Sequence, residues 1–174
     1  TICHNPKEKA TMQIGQGSFL AKGLKIPVVN NFRAADIVFG GLGAPLMPIF
    51  DSEFFKKSKP VILLNLGGIA NFSLVGKNIK TFGFDIGPAN ALSDSAVSII
   101  TKGKKSFDKD GKIAAEYQPD TKYASKLAQI FTAKKIGLSL DRNTFSINFL
   151  KKYFPSLERK DISTLNYLTA LVIS

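Results

Sequence analysis

Asp85 closes the run Thr81-Phe82-Gly83-Phe84 and is followed by Ile86-Gly87-Pro88-Ala89-Asn90. A lone carboxylate carried by a strand to the start of a helix can take a proton from water or a hydroxyl, or partner a hydrated cation. Pro88 suits a first helical turn, because it has no N–H to leave unpaired there. Upstream, Gly67-Gly68 follows the apolar run Val61-Ile62-Leu63-Leu64. Glycine turns and helix N-termini present N–H groups and partial positive charge, so phosphate is the expected guest and Asp85 is expected to stay ionised at neutral pH. The same residues equally fit an ordinary hairpin in which Asp85 caps the next helix.

A second group lies nearer the start of the chain. Arg33 and Asp36 precede Gly40-Gly41-Leu42-Gly43-Ala44-Pro45, a loop whose glycines imply a sharp turn or a close backbone approach. A structural ion pair between Arg33 and Asp36 beside that bend is the alternative to a binding role.

These groups need elements to position them. Val61 to Leu64 reads as a strand, Gly67-Gly68 as a reversal and Ile69 to Val75 as the returning strand. After the polar turn Gly76-Lys77-Asn78, Thr81 to Phe84 reads as a third strand that brings Asp85 to its C-terminal end. Residues 87 to 90 read as the loop opening a helix over 91–101, with Leu92, Ala96, Ile99 and Ile100 on one side. Earlier in the chain the patterns predict a short strand in 10–16, helical turns over 17–25, a strand over 26–30 and a helix within 44–57. Ser58-Lys59-Pro60 marks a boundary. Later, the lysine-rich stretch 102–111 contains DKDG, which lacks the further spaced carboxylates of a calcium loop and reads as a turn. Three amphipathic helices follow, with stripes at Tyr123, Leu127, Ile130 and Phe131, at Phe145, Phe149, Leu150 and Tyr153, and at Ile162, Leu165, Leu168 and Val172.

Composition narrows the function classes. With 174 residues, 44% of them hydrophobic, the chain can build a real core. No apolar run reaches the length of a membrane span and no signal-peptide pattern opens the chain, so a cytoplasmic protein without a membrane partner is expected. Cys3 and His4 are each the sole residue of their type, which rules out an internal disulfide and multi-histidine zinc chemistry; no metal ligands are assigned. The net charge of +11 comes mainly from scattered lysines. Arginine occurs only at 33, 142 and 159, without interleaved aromatics, so solvated faces explain the charge better than nucleic-acid binding.

The segments LNLGGIANFS and GFDIGPAN resemble the paired signatures of the 1,6-anhydro-N-acetylmuramic acid kinases, members of the sugar-kinase, actin and heat-shock-protein superfamily. TICHNP, QIGQGSFLA, IPVVNNFRAADIVFGGLGAPLMPIFD, FDKDGKIAA and STLNYLTA resemble further family blocks in family order, so the resemblance covers nearly the whole chain. It implies an α/β, actin-like (ribonuclease H-like) two-lobed sugar-kinase fold, incomplete, with a mixed sheet and flanking helices. Residues 1–58 would form the C-terminal part of the first lobe and 59–174 the N-terminal part of the second. It implies ATP and Mg²⁺ as cofactors, an anhydro amino sugar as substrate, a role in cell-wall sugar recycling, and is compatible with a homodimer. Carried onto this chain, Asp85 is the catalytic base. Arg33, Asp36, Gly43 and Ala44 line the sugar site, and Asn65, Gly67, Gly68, Asn71 and Gly87 meet the nucleotide phosphates.

The chain also departs from the family pattern. Leu42 replaces the glutamine of GGQGAP, Ile86 the threonine of DTGP and Ala89 the glycine of GPGN. LSLDRNTF stands where the family usually reads KSTGRExF, which weakens any substrate role for Arg142. The phosphate-gripping GTSxDG turn and the later GGGxxN segment do not occur, so the expectation is the central portion of a longer kinase with little activity by itself. The rival expectations are a catalytically dead binding or dimerising module and another small-molecule kinase of the same superfamily.

Overall fold

The computed structural model describes residues 2–132, 145 and 147–174. The chain forms two compact units, Thr1–Leu46 and Met47–Ser174.

In the first unit, β1 (Cys3–Asn5) and β2 (Ala10–Met12) form an antiparallel hairpin across which His4 Nδ1 and Thr11 Oγ1 lie 3.1 Å apart. Helices α1 (Gly17–Leu24) and α2 (Ala34–Val38) follow. The strand expected over 10–16 shrinks to its first three residues, and the one expected over 26–30 is absent. Pro27 offers no N–H to a ladder. Val28 and Asn30 instead pack against the start of α1, where a Cβ added at Gly17 would lie 2.2 Å from Asn30 Nδ2 and 3.2 Å from Val28 Cγ1. Among the described residues of this unit Ile37 is the one large apolar side chain fully buried, while Phe19, Phe32 and Phe39 stand open.

The second unit begins with α3 (Met47–Phe54) and continues with β3 (Val61–Leu66), β4 (Ile69–Val75) and β5 (Phe82–Pro88), an antiparallel sheet in the order β3-β4-β5. A mixed sheet was the expectation; every described pairing is antiparallel. The short connections explain this, because parallel neighbours need a long crossover. Helices α4 (Asn90–Ile100), α5 (Thr121–Thr132), α6 (Ile147–Tyr153) and α7 (Asp161–Ile173) complete the unit. Their stripes meet in one core containing Leu92, Val97, Leu127, Phe131, Phe149, Leu150, Ile162, Leu165 and Leu168. Phe131 lies 5.5 Å from Phe145 and 5.9 Å from Phe149, ring centre to ring centre.

The stripe on α4 differs from the expected one. Leu92, Ser93, Ala96 and Val97 are buried, whereas Ile99 is exposed. At about 100° per residue, Ile99 points roughly 90° away from the centre of the buried stripe. DKDG is indeed a turn: the Asp108 carboxylate accepts from the N–H groups of Ile113 and Ala114 at 2.9 Å, and Asp110 and Gly111 adopt left-handed φ values of 60° and 65°. Ser139 and Arg142 lie outside the described residues. Among those residues no helix is long and apolar enough to cross a membrane.

Candidate functional site

Three polar side chains line up across the sheet. In the strand register Asn65 stands opposite Asn71, and Asn71 opposite Asp85, so all three project from the same face. The register of β5 makes this row. Ala70 pairs with Gly87 but Asn71 pairs with Asp85, so Ile86 is an extra residue, a β-bulge. Without it Asn71 would face Ile86, and Asp85 would turn to the opposite face beside Phe72.

Aromatic packing secures the bulged register. Phe72, Phe82 and Phe84 share the other face, with Phe72 and Phe84 edge to face at 4.5 Å between ring centres. Such pairs are worth about 0.5–1.5 kcal/mol beyond their buried area. Asp85 is half-buried, neither sunk in the apolar core nor fully open. It lies in the middle of β5, not at its end, because the strand continues to Pro88.

The Gly67-Gly68 turn is tied to the start of α4. The N–H groups of Ala89 and Ala91 donate to the Gly68 carbonyl at 3.1 Å, and Asn90 N–H donates to the Gly67 carbonyl at 3.0 Å. Asn90 Nδ2 adds a bond to the Leu66 carbonyl at 3.3 Å. This corrects the expectation of free donors at the helix start, since the carbonyls of the glycine turn occupy them. No hydrogen bond among the described residues uses the N–H of Gly67 or Gly68. The N-cap position of α4 is Ala89, which contributes no side-chain cap. Gly87 is buried under α7, where an added Cβ would lie 2.5 Å from Val172 Cγ1. Asn65, Gly67, Gly68, Asn71 and Asp85 thus gather at one end of the sheet, with Gly87 in its packed underside.

Arg33, Asp36, Gly43 and Ala44 form a separate group in the first unit. Gly43 N–H donates to Asp36 Oδ2 at 2.7 Å, and an Arg33 guanidinium N–H donates to the Gly43 carbonyl. The ion pair weighed from sequence does not form; each side chain holds Gly43 instead. Gly43 is buried, and half-buried Ala44 enters a cis peptide bond with Pro45.

Comparison with known proteins gives the family. The family model described as anhydro-N-acetylmuramic acid kinase matches residues 1–174. The chain belongs to that family. A protein named anhydro-N-acetylmuramic acid kinase from Rhodopseudomonas palustris (strain BisB18) is 36% identical over 178 residues, covering 100% of this chain and 47% of the relative. One of the same name from Methylobacterium nodulans is 41% identical over 150 residues, covering 84% and 40% respectively. A third, from Prochlorococcus marinus (strain MIT 9303), is 38% identical over 190 residues, covering 100% and 50%. The chain spans about half the length of these relatives.

Two of the residues expected from the sequence to depart from the family pattern have identifiable places. Ile86 is the bulge residue, and Ala89 is buried at the join between β5 and α4, where its carbonyl accepts from Thr169 Oγ1 at 3.2 Å. Asp94, one helical turn beyond Asn90 on α4, is a partly buried carboxylate that the sequence reading did not single out. Its only signal was a charge inside the otherwise small and apolar stretch Ala91-Leu92-Ser93-Asp94-Ser95-Ala96.

Asp94 is half-buried, and desolvation raises its carboxyl above the ordinary value. A raised acid pKa means that the folded state disfavours the charge. That cost is absent below the ordinary carboxylate range, grows as pH rises through it and is constant above the raised value. Asp94→Asn is therefore expected to stabilise the chain at pH 7, with the gain vanishing near about pH 3. Urea denaturation at the two pH values measures it.

Proposed function

We propose that this chain is the central portion of an ATP-dependent kinase acting on 1,6-anhydro-N-acetylmuramic acid, in the cytoplasmic recycling of cell-wall sugars. Asp85 is the general base. It takes a proton from water as the water oxygen bonds to the anomeric carbon; the bond from that carbon to O6 breaks, and O6 attacks the γ-phosphorus of ATP. The products are N-acetylmuramic acid 6-phosphate and ADP. The observation that carries this reading is the Asn65-Asn71-Asp85 row beside the two unused N–H groups of Gly67-Gly68, in a chain whose relatives are named kinases. A half-buried carboxylate with one amide beside it and a second on the strand beyond can hold a proton at its own oxygen while the amides orient water and phosphate oxygens.

Mg²⁺ fits this group. It favours one or two carboxylates with water and substrate phosphates over an all-protein cage, and in the alternative role to that of base Asp85 would supply one such oxygen ligand. The ion would neutralise charge on the transferring phosphoryl group. Arg33, Asp36, Gly43 and Ala44 belong to the sugar side, and Asn65, Gly67, Gly68, Asn71 and Gly87 to the phosphate side. The wider architecture in this reading is the two-lobed actin-like fold, with residues 1–58 closing one lobe and 59–174 opening the next, and with a homodimer as assembly.

The experiment compares a protein of the relatives' full length with this 174-residue chain, each given Mg-ATP and the anhydro sugar. The full-length protein should release ADP and form a sugar 6-phosphate with a free reducing end, identified by mass and NMR. The chain alone should turn over little or not at all, since phosphoryl transfer needs both nucleotide and acceptor positioned. Phosphorylation of a different acceptor, or none by the full-length protein, overturns the reading.

A further inference from the structure

We infer that Arg33 and Asp36 are positioning residues: they clamp both polar backbone groups of Gly43, so that the loop they fix, and not their own charges, meets the sugar. The inference rests on the sugar site proposed above.

Arg33 and Asp36 are three residues apart and so emerge on one side of the short helix α2. From there Asp36 accepts the Gly43 N–H at 2.7 Å and Arg33 donates to the Gly43 carbonyl. The loop winds around Asp36: Gly41 N–H donates to the Asp36 carbonyl at 2.7 Å, and a Cβ added at Gly41 would lie 2.1 Å from Asp36 Oδ2. Gly43 has φ +63°, and an added Cβ would lie 2.8 Å from Ile37 Cδ1. Only glycine can sit so close in that conformation without strain.

Gly43 is buried, so both its backbone groups need partners, and a charged partner makes the stronger bond. At the tip, Leu42 is 40% exposed, and neither its N–H nor its carbonyl bonds to anything among the described residues. Those backbone groups are what the clamp holds out for a polar group of the sugar. Their use does not depend on the residue 42 side chain, consistent with leucine at that position.

Two measurements test the clamp. In this chain, hydrogen exchange at Gly43 N–H should be slow in the native protein, fast in Asp36→Ala and slow again in Asp36→Asn, whose amide oxygen still accepts. Rapid exchange in the native chain would overturn the clamp whatever the enzyme's substrate.

In the full-length protein, Arg33→Ala and Asp36→Ala should raise the sugar KM about ten- to a hundredfold. The KM for ATP and kcat should hold within about threefold, and Arg33→Lys and Asp36→Asn should recover part of the loss, with folding of each variant checked by circular dichroism. The decisive arm repeats the Arg33→Ala assay on an anhydro sugar lacking the lactyl carboxylate. Positioning predicts the same fold loss on both sugars. A loss confined to the acidic sugar would overturn the inference, showing that Arg33 grips that carboxylate directly. Failure of the wild-type protein to act on any anhydro sugar would count against the proposed function, while exchange at Gly43 would still judge the clamp.

Discussion

Asp85→Asn in the full-length protein should lower kcat by about 10²–10⁴-fold, the usual worth of a positioned general base, while leaving the fold and ligand binding in place. The substitution removes one capacity only. Asparagine has the same shape and keeps a carbonyl oxygen and a polar group in the Asn65-Asn71-Asp85 row, but its amide cannot take a proton from water. The check is turnover by ADP release, with affinities for ATP and sugar measured separately by calorimetry. Near wild-type turnover would remove Asp85 from the chemistry. Equal loss of binding and rate would instead assign it to holding the substrate.

Gly83→Val should destabilise the chain by about 3 kcal/mol, the upper end of the usual cost of overpacking. Gly83 pairs with Ser73 on the face that carries Asp85, and Pro48 of α3 occupies the space where a side chain would stand. A Cβ there would lie 2.4 Å from the Phe72 carbonyl oxygen and 2.8 Å from Pro48 Cγ. The first obstacle is backbone, so relief requires β4 and β5 to separate or α3 to lift. Either movement displaces Asp85 two residues along, and the full-length variant should lose activity with stability. Gly23→Ala is the control, because nothing lies within 4 Å of its added Cβ and it sits inside helix α1. It should be neutral or stabilising by about 0.5–1 kcal/mol. Urea denaturation of the two variants measures both effects, and a Gly83→Val midpoint equal to wild type would refute the packing argument.

Much of the second unit was legible because its signals are local. Alternation in Phe82-Gly83-Phe84-Asp85 and Asn71-Phe72-Ser73 already sorts aromatic residues to one face and polar or small ones to the other, and the observed pairing obeys that sorting. The apolar stripes of α5 and α7 were readable for the same reason, since spacing alone decides which residues share a helix face. The first unit was less legible. Its expected strand over 26–30 failed because Val28 and Asn30 found partners on Gly17, a contact that alternation within five residues cannot reveal.

By itself the sequence determined the family, the order of strands and helices in the second unit, and the Gly67-Gly68 turn. Tertiary structure decided where the backbone donors and acceptors go. The Gly67-Gly68 carbonyls take the N–H groups that opened α4, Ile86 bulges out so that Asp85 joins Asn71, and Arg33 and Asp36 turn inward onto Gly43 rather than toward each other. Periodicity reports which way a side chain points, but a hydrogen bond is settled by whichever partner three-dimensional packing brings within about 3 Å, and that distance is not written in any short stretch of residues.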